Sequence, residues 1–121
     1  MLQATILVTH SLRTYREALA SWLRTQRPTL SVAECEPEAL DLARAIYAPC
    51  LVICDAPTPA MRREAMSLFW IEVYPVGGRV SLVHLGADER PTPDISLPDI
   101  LAVVDRSRGD YLNPRTEVPS A

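Results

Sequence analysis

The stretch Leu-Val-Ile-Cys-Asp-Ala-Pro-Thr-Pro, residues 51–59, decides the fold class of this chain. Its first four residues form a continuous apolar run, which is typical of a strand buried on both faces of a parallel sheet. The run ends at Asp55, and the prolines that follow indicate a tight loop. We therefore expect a central strand that delivers one carboxylate into a loop at its carboxyl end.

Apolar patterns on both sides of this stretch predict alternating strands and helices. Strands are expected at residues 4–8, 30–33, 51–54, 80–85 and 95–97, and helices at 11–27, 37–48, 60–73 and 98–109. Ser11 is expected to cap the first helix, and Gly109 to close the last. Residues 86–94 combine glycine, prolines and charges, so we expect a loop there. The alternation predicts a parallel sheet with helices on both faces.

Composition limits the organisation and the partners of the chain. Its 121 residues, 48% of them hydrophobic, fit one compact domain. The formal net charge of −3 provides no basic field for direct nucleic-acid binding. Apolar stretches fall short of the ~20 residues of a membrane span, so we expect a soluble, cytoplasmic domain with no membrane contact.

The cysteines and one helix face are expected to belong to the core. Cys35, Cys50 and Cys54 show no metal-type spacing, and we expect reduced, buried thiols. Cys50 and Cys54 would lie ~13 Å apart along a strand, which is too far for a disulfide. On the helix after Pro37, apolar spacing places Ile46 and Tyr47 on the inward face.

Four stretches resemble the receiver domain of bacterial response regulators, especially the NarL/LuxR-type branch, in which the receiver precedes a helix-turn-helix DNA-binding domain. They are residues 6–8 with 16–19, residues 38–43, residues 49–59, and residues 97–101 with 109–114. Together they span most of residues 4–114. Their order and spacing carry the resemblance, because no single stretch is diagnostic.

The resemblance implies a flavodoxin-like, doubly wound sheet of five parallel strands in the order 2-1-3-4-5. Asp55 falls on the phosphorylated aspartate of the family and Pro59 on its loop proline. The site of such a fold lies beyond the carboxyl ends of the strands, where His10, Asp55 and His84 would meet. The receiver-like domain would span residues 4–109, with residues 110–121 as a tail or linker.

Several family residues are missing from this pocket. The family holds Mg²⁺ with an acidic pair after the first strand, and it uses a Ser or Thr after the fourth strand and a Lys after the fifth. Here His10 and Ser11 stand at the acidic pair, His84 stands at the Ser/Thr position, and the chain contains no lysine. We therefore expect Mg²⁺ binding to be weak or lost, with no other cofactor.

The segment 86–94 also leaves little room for the family's fourth helix, which we expect to be shortened or missing. In the family this helix belongs to the face that changes on phosphorylation and mediates dimerisation. The shortened segment should uncover apolar surface beside the last helix. A homodimer or a protein partner is therefore expected.

These departures predict an atypical receiver that works without phosphorylation, through protein–protein contacts, to regulate transcription or signalling, with a possible DNA-binding domain after residue 121. One alternative is a regulator still phosphorylated on Asp55. A second is a small-molecule or metal sensor in the same crevice, for which His10, Asp55 and His84 are a weak metal-ligand candidate. In a further reading, a histidine cation replaces the missing charges beside Asp55. No nucleophile–base pair, P-loop or dinucleotide fingerprint indicates an enzyme.

Overall fold

The computed structural model of the chain describes residues 4–75 and 79–112 as one six-stranded mixed sheet with helices, so the predicted α/β class is confirmed. The strands are β1 (Thr5–Thr9), β2 (Ser31–Cys35), β3 (Leu51–Cys54), β4 (Phe69–Glu72), β5 (Ser81–Leu85) and β6 (Asp88–Thr92). The helices are α1 (Arg13–Gln26), α2 (Leu40–Tyr47), α3 (Pro59–Arg63) and α4 (Leu97–Leu112), with 3₁₀ turns at Pro37–Ala39 and Ala65–Ser67. Within the described ranges, no helix is long and apolar enough to cross a membrane.

The strand order is β2-β1-β3-β4-β5-β6. The first four strands of this order are mutually parallel, whereas β5 runs antiparallel to β4 and β6 antiparallel to β5. The expected sheet of five parallel strands is therefore wrong. Only residues 73–80 link β4 to β5, and a parallel crossover needs about a dozen residues or more.

The helix expected over 60–73 is also replaced, in its second half, by a strand. Helix α3 ends at Arg63, a 3₁₀ turn follows, and β4 then pairs with β3 in register Ile53↔Ile71. The β4 residues Phe-Trp-Ile-Glu are mostly aromatic or β-branched, which favours a strand once a sheet edge is available.

The loop expected over 86–94 is mostly strand β6. Gly86 and Ala87 form the two-residue turn of the β5–β6 hairpin, with Leu85 paired to Asp88. Gly86 has φ 65°, the left-handed conformation that such turns require at this position. The short strand expected at 95–97 is absent, because α4 already begins at Leu97.

The ends of two helices differ from the prediction. Leu12, not Ser11, is the N-cap residue of α1, and no side chain caps that helix. Helix α4 continues past Gly109 to Leu112, so the predicted domain boundary at residue 109 falls inside a helix. The rest of the predicted tail, residues 113–121, lies outside the described part of the chain. Ser96 and Asp99 begin α4 with reciprocal bonds to each other's backbone N–H, 3.1 and 3.0 Å long.

The sheet separates two apolar layers. One is formed by α1 and α4 with the face that carries Ile6 and Ile53, and the other by α2 and α3 with the face that carries Leu7. Ile46 and Tyr47, expected inward, are 66% and 46% exposed because α2 buries only Leu40 and Ala43. Cys54 is buried as expected, whereas Cys35 and Cys50 are half-buried, and all three thiols are free.

Candidate functional site at the carboxyl edge of the sheet

The structure brings His10, Ser11 and Asp55 together. His10 and Ser11 follow β1, and Asp55 follows the adjacent parallel strand β3. The backbone N–H of Ser11 donates to Oδ2 of Asp55 at 3.2 Å, and the Ser11 hydroxyl donates to the same oxygen. The two donors of one residue thus hold the carboxylate at the carboxyl edge of the sheet.

The surroundings of Asp55 favour its ionised form. Partial burial raises the pKa of this carboxyl, but the hydrogen bond from the Ser11 hydroxyl, the adjacent His10 ring and backbone N–H donors together outweigh burial. The pKa of Asp55 therefore lies below its ordinary value. The edge carries a fixed negative charge at neutral pH.

His10 is buried beside Asp55 and is held by backbone groups. Its Nε2 donates to the carbonyl oxygen of Val73 at 2.9 Å, while its Nδ1 accepts the backbone N–H of Leu12 at 3.0 Å. This pair of bonds describes a neutral ring with the proton on Nε2. Nδ1 lies 3.9 Å from Oδ2 of Asp55, but a proton there would displace the Leu12 bond. The geometry therefore gives no support to a permanent His10 cation.

His84 does not lie over Asp55. Because β5 is antiparallel, His84 pairs with Trp70 in the middle of β4, and its ring stacks on the indole at 3.8 Å. Its Nε2 lies 2.7 Å from the carbonyl oxygen of Ala65, and its Nδ1 lies 3.1 Å from Oε2 of Glu89. The expected gathering of His84 with His10 and Asp55 is therefore wrong. In residues 4–75 and 79–112 no group of three or more His, Cys, Asp or Glu could hold a metal ion.

The residues that follow the fourth strand of the sheet are Val73 and Tyr74, because that strand is Phe69–Glu72 and not residues 80–85. Glu72 is 8% exposed and accepts hydrogen bonds from Nε1 of Trp70 at 3.0 Å and from the Tyr74 hydroxyl at 2.6 Å. The pKa of Tyr74 is raised to about 12, mainly by desolvation and next by the hydrogen bond to Glu72. This end of β4 therefore offers no free hydroxyl toward Asp55.

Arg16 is a site residue whose role the sequence analysis missed. It is buried on α1, and its guanidinium donates to the carbonyl oxygen of His10 at 3.3 Å and to both carboxylate oxygens of Glu36 at 3.3 Å. It therefore fixes the backbone of the His10 loop. The available signal was an arginine within the apolar stripe of the helix, between Leu12 and Leu19.

Pro59 shapes the loop that follows Asp55. It opens α3, and Thr58 caps that helix by accepting the backbone N–H of Met61 at 3.1 Å. The Thr58 hydroxyl in turn donates to Asp41 of α2 at 2.7 Å. Pro59 thus acts through the start of α3 and not through contact with the Asp55 carboxylate.

A cavity of about 750 Å³ lies beside this edge, with Tyr15 and Val73 in its lining. The ring of Tyr15 also meets the ring of His10 edge-on, at 5.0 Å. Compared with known proteins, the chain matches no family model, no curated protein and no solved structure.

Proposed function

We propose that this chain is an atypical receiver-like domain that regulates signalling or transcription through protein–protein contacts and without phosphorylation of Asp55. The observation that carries the proposal is the double donation from Ser11 to Oδ2 of Asp55. In the receiver family, the residues after the first strand hold Mg²⁺ against the phosphorylated aspartate. Here Ser11 stands at that place and binds the Asp55 carboxylate directly.

The parallel half of the sheet supports the receiver-like part of the proposal. The order β2-β1-β3-β4 is the order of the first four strands in a flavodoxin-like sheet, with Asp55 directly after the third. In this proposal the antiparallel β5–β6 hairpin takes the place of the fifth parallel strand. The family's lysine has no counterpart in a chain without lysine.

The groups beside Asp55 do not fit Mg²⁺. This ion prefers octahedral oxygen ligands with one or two carboxylates, whereas the edge offers Asp55, a hydroxyl already bonded to it, and a histidine whose ring nitrogens are both engaged. Without a metal and a lysine, the charge of a phosphoryl group would face the Asp55 carboxylate with little compensation.

One observation favours the alternative, a regulator that is still phosphorylated. The side chain of Asp55 is 20% exposed and ionised, so the nucleophile that phosphorylation requires is present. A phosphodonor would have to displace the Ser11 bonds to reach Oδ2.

Incubation with acetyl phosphate and Mg²⁺, followed by intact-mass measurement, tests the proposal. We expect no phosphorylated species for the wild type. A stoichiometric adduct that is lost in Asp55→Asn, but kept in the control Asp88→Asn on exposed β6, would overturn the proposal and establish the alternative.

The partner is proposed to be a protein, either a second copy or another chain. Because the net charge is −3, we assign any DNA contact to a separate C-terminal domain. The codons that follow residue 121 test this point: a helix-turn-helix module there is expected for a transcriptional regulator.

A further inference from the structure

A groove of about 310 Å³ runs between the β5–β6 hairpin and α4, and we call it the hairpin groove. Its apolar lining comes from Val83 and Leu85 of β5, Ile95 before α4, and Ala102 and Val103 of α4.

Two arginines line this groove from opposite elements, Arg90 on β6 and Arg106 on α4. Neither guanidinium forms an ion pair or hydrogen bond within the part of the chain that the structure describes, whereas Arg27, which follows α1, is paired with Asp105 at 2.6 Å. Asp99 also lines the groove, but its carboxylate accepts the Ser96 N–H at the start of α4. The groove therefore combines an apolar floor with an excess of positive charge.

Helix α2 presents the opposite combination. Leu42 and Ile46, one turn apart, are each 66% exposed. Glu38, in the 3₁₀ turn that leads into this helix, is exposed, and its carboxylate has no ion pair or hydrogen bond within the described residues. Apolar residues at positions i and i+4 with a carboxylate beside them are typical of a helix that binds with one face in a groove.

We propose that α2 of one copy of this chain docks into the hairpin groove of a second copy. Leu42 and Ile46 lie over the apolar floor, while Glu38 faces the arginines of the groove, Arg90 and Arg106. The acid–arginine pairing and the matching apolar surfaces select this occupant. The inference does not rest on the receiver-like function, because neither surface includes Asp55.

The contact joins two different surfaces, so it is heterologous, and each pair leaves one free groove and one free α2. Association then proceeds head to tail beyond the dimer. The contact is small and charge-assisted, so we expect it to be weak and to weaken further with salt.

Sedimentation of the full chain up to about 1 mM tests the proposal. We expect the average mass to rise with concentration at low salt and to fall as salt is added. Ala102→Trp should fill the groove, and Ile46→Glu should place a charge on the apolar face of α2. Both positions are exposed, so both variants should fold, which thermal melts will check. Ala18→Trp and Ala18→Glu on exposed α1 are matched controls and should associate like the wild type.

The decisive step is mixing. Ala102→Trp retains a competent α2 and Ile46→Glu a competent groove, so each should be monomeric alone while their mixture gives a 1:1 dimer and nothing larger. A charge exchange, Glu38→Arg with Arg90→Glu, should restore part of the association that either change removes. A wild type that is monomeric throughout, association that survives both variants, or a mixture that stays monomeric would each overturn the proposal. None of these outcomes depends on the phosphorylation of Asp55.

Discussion

His84 lies flat against Trp70 across the antiparallel pair β4–β5, with ring centroids 3.8 Å apart and ring planes 12° from parallel. Its two nitrogens face acceptors on different elements, the carbonyl oxygen of Ala65 and the carboxylate of Glu89. This one buried side chain therefore connects β4, β6 and the 3₁₀ turn before β4. Its role is structural, at a distance from Asp55.

His84→Phe should keep the stacked ring and lose the polar contacts of the ring nitrogens with Ala65 and Glu89. The carbonyl of Ala65 then has no donor from this residue, so we expect a loss of about 1–3 kcal/mol in the free energy of unfolding. Urea denaturation measures it. Glu89→Gln is the control, because an exposed amide can either donate to or accept from the ring, and it should cost less than about 1 kcal/mol. A Phe variant as stable as the wild type would contradict the structural role.

Ser11→Ala should reduce the part of the free energy of unfolding that depends on the ionised form of Asp55. The pKa of Asp55 is lowered in the folded chain, so this stability is present above the unfolded pKa and is lost as pH falls through the folded value. Removal of the hydroxyl donor should raise the folded pKa and reduce stability at pH 7 by about 1 kcal/mol or less. Below both pKa values the two proteins should be nearly equal. Urea midpoints from pH 2 to pH 7 check this, and an equal difference at every pH would contradict it.

Gly86→Ala and Gly109→Ala should have opposite effects. Gly86 has φ 65°, and an added Cβ would lie 3.2 Å from the carbonyl oxygen of Met66, so we expect a loss of about 1–2 kcal/mol. Gly109 lies inside α4, with nothing within 4 Å of an added Cβ, so alanine there should stabilise by about 0.5–1 kcal/mol. Thermal melts of both variants decide. A Gly86→Ala variant as stable as the wild type would contradict the backbone conformation of Gly86 in the hairpin turn.

Pro91→Val should promote association through the β6 edge. The two-residue turn makes Leu85–Asp88 a hydrogen-bonded pair, so residue 91, three positions on, directs its nitrogen to the free edge. Because proline has no N–H to donate there, it hinders the pairing of a further strand with this edge. Light scattering over time should rise in Pro91→Val and not in Thr92→Val, whose N–H points to β5. Equal behaviour of the two variants would contradict this reading.

The fold should lose stability in strong base through Tyr74. Its folded pKa of about 12 exceeds its ordinary value of 10.0, so the stability from the neutral phenol is present below the unfolded pKa and is lost as pH rises through the folded value. Tyr74→Phe should remove this part of the alkaline loss. The measurement is the tyrosinate absorbance of wild type and variant as a function of pH. The titration curve of the variant should lack one tyrosine with a high pKa. Identical titrations would contradict the bond to Glu72.

The sequence by itself determined the first three strands of the fold, β1 to β3, and the helices between them. Continuous apolar runs are typical of strands buried on both faces, and they located β1 and β3 to within a residue. The helices between them followed from the 3.6-residue spacing and from prolines at their ends. Since adjacent parallel strands end at the same edge, the proximity of His10 and Ser11 to Asp55 also followed from the sequence.

The tertiary structure decided the other half. An apolar run carries no sign of strand direction, so residues 81–85 gave no indication that β5 is antiparallel or that His84 lies away from Asp55. The β6 stretch Asp-Glu-Arg-Pro-Thr has loop composition, and it forms a strand because an edge strand tolerates charges and proline. The segment Phe-Trp-Ile-Glu continues a helix-like pattern, and pairing with β3 makes it a strand. In each case pairing with another strand, and not local propensity, decided the outcome.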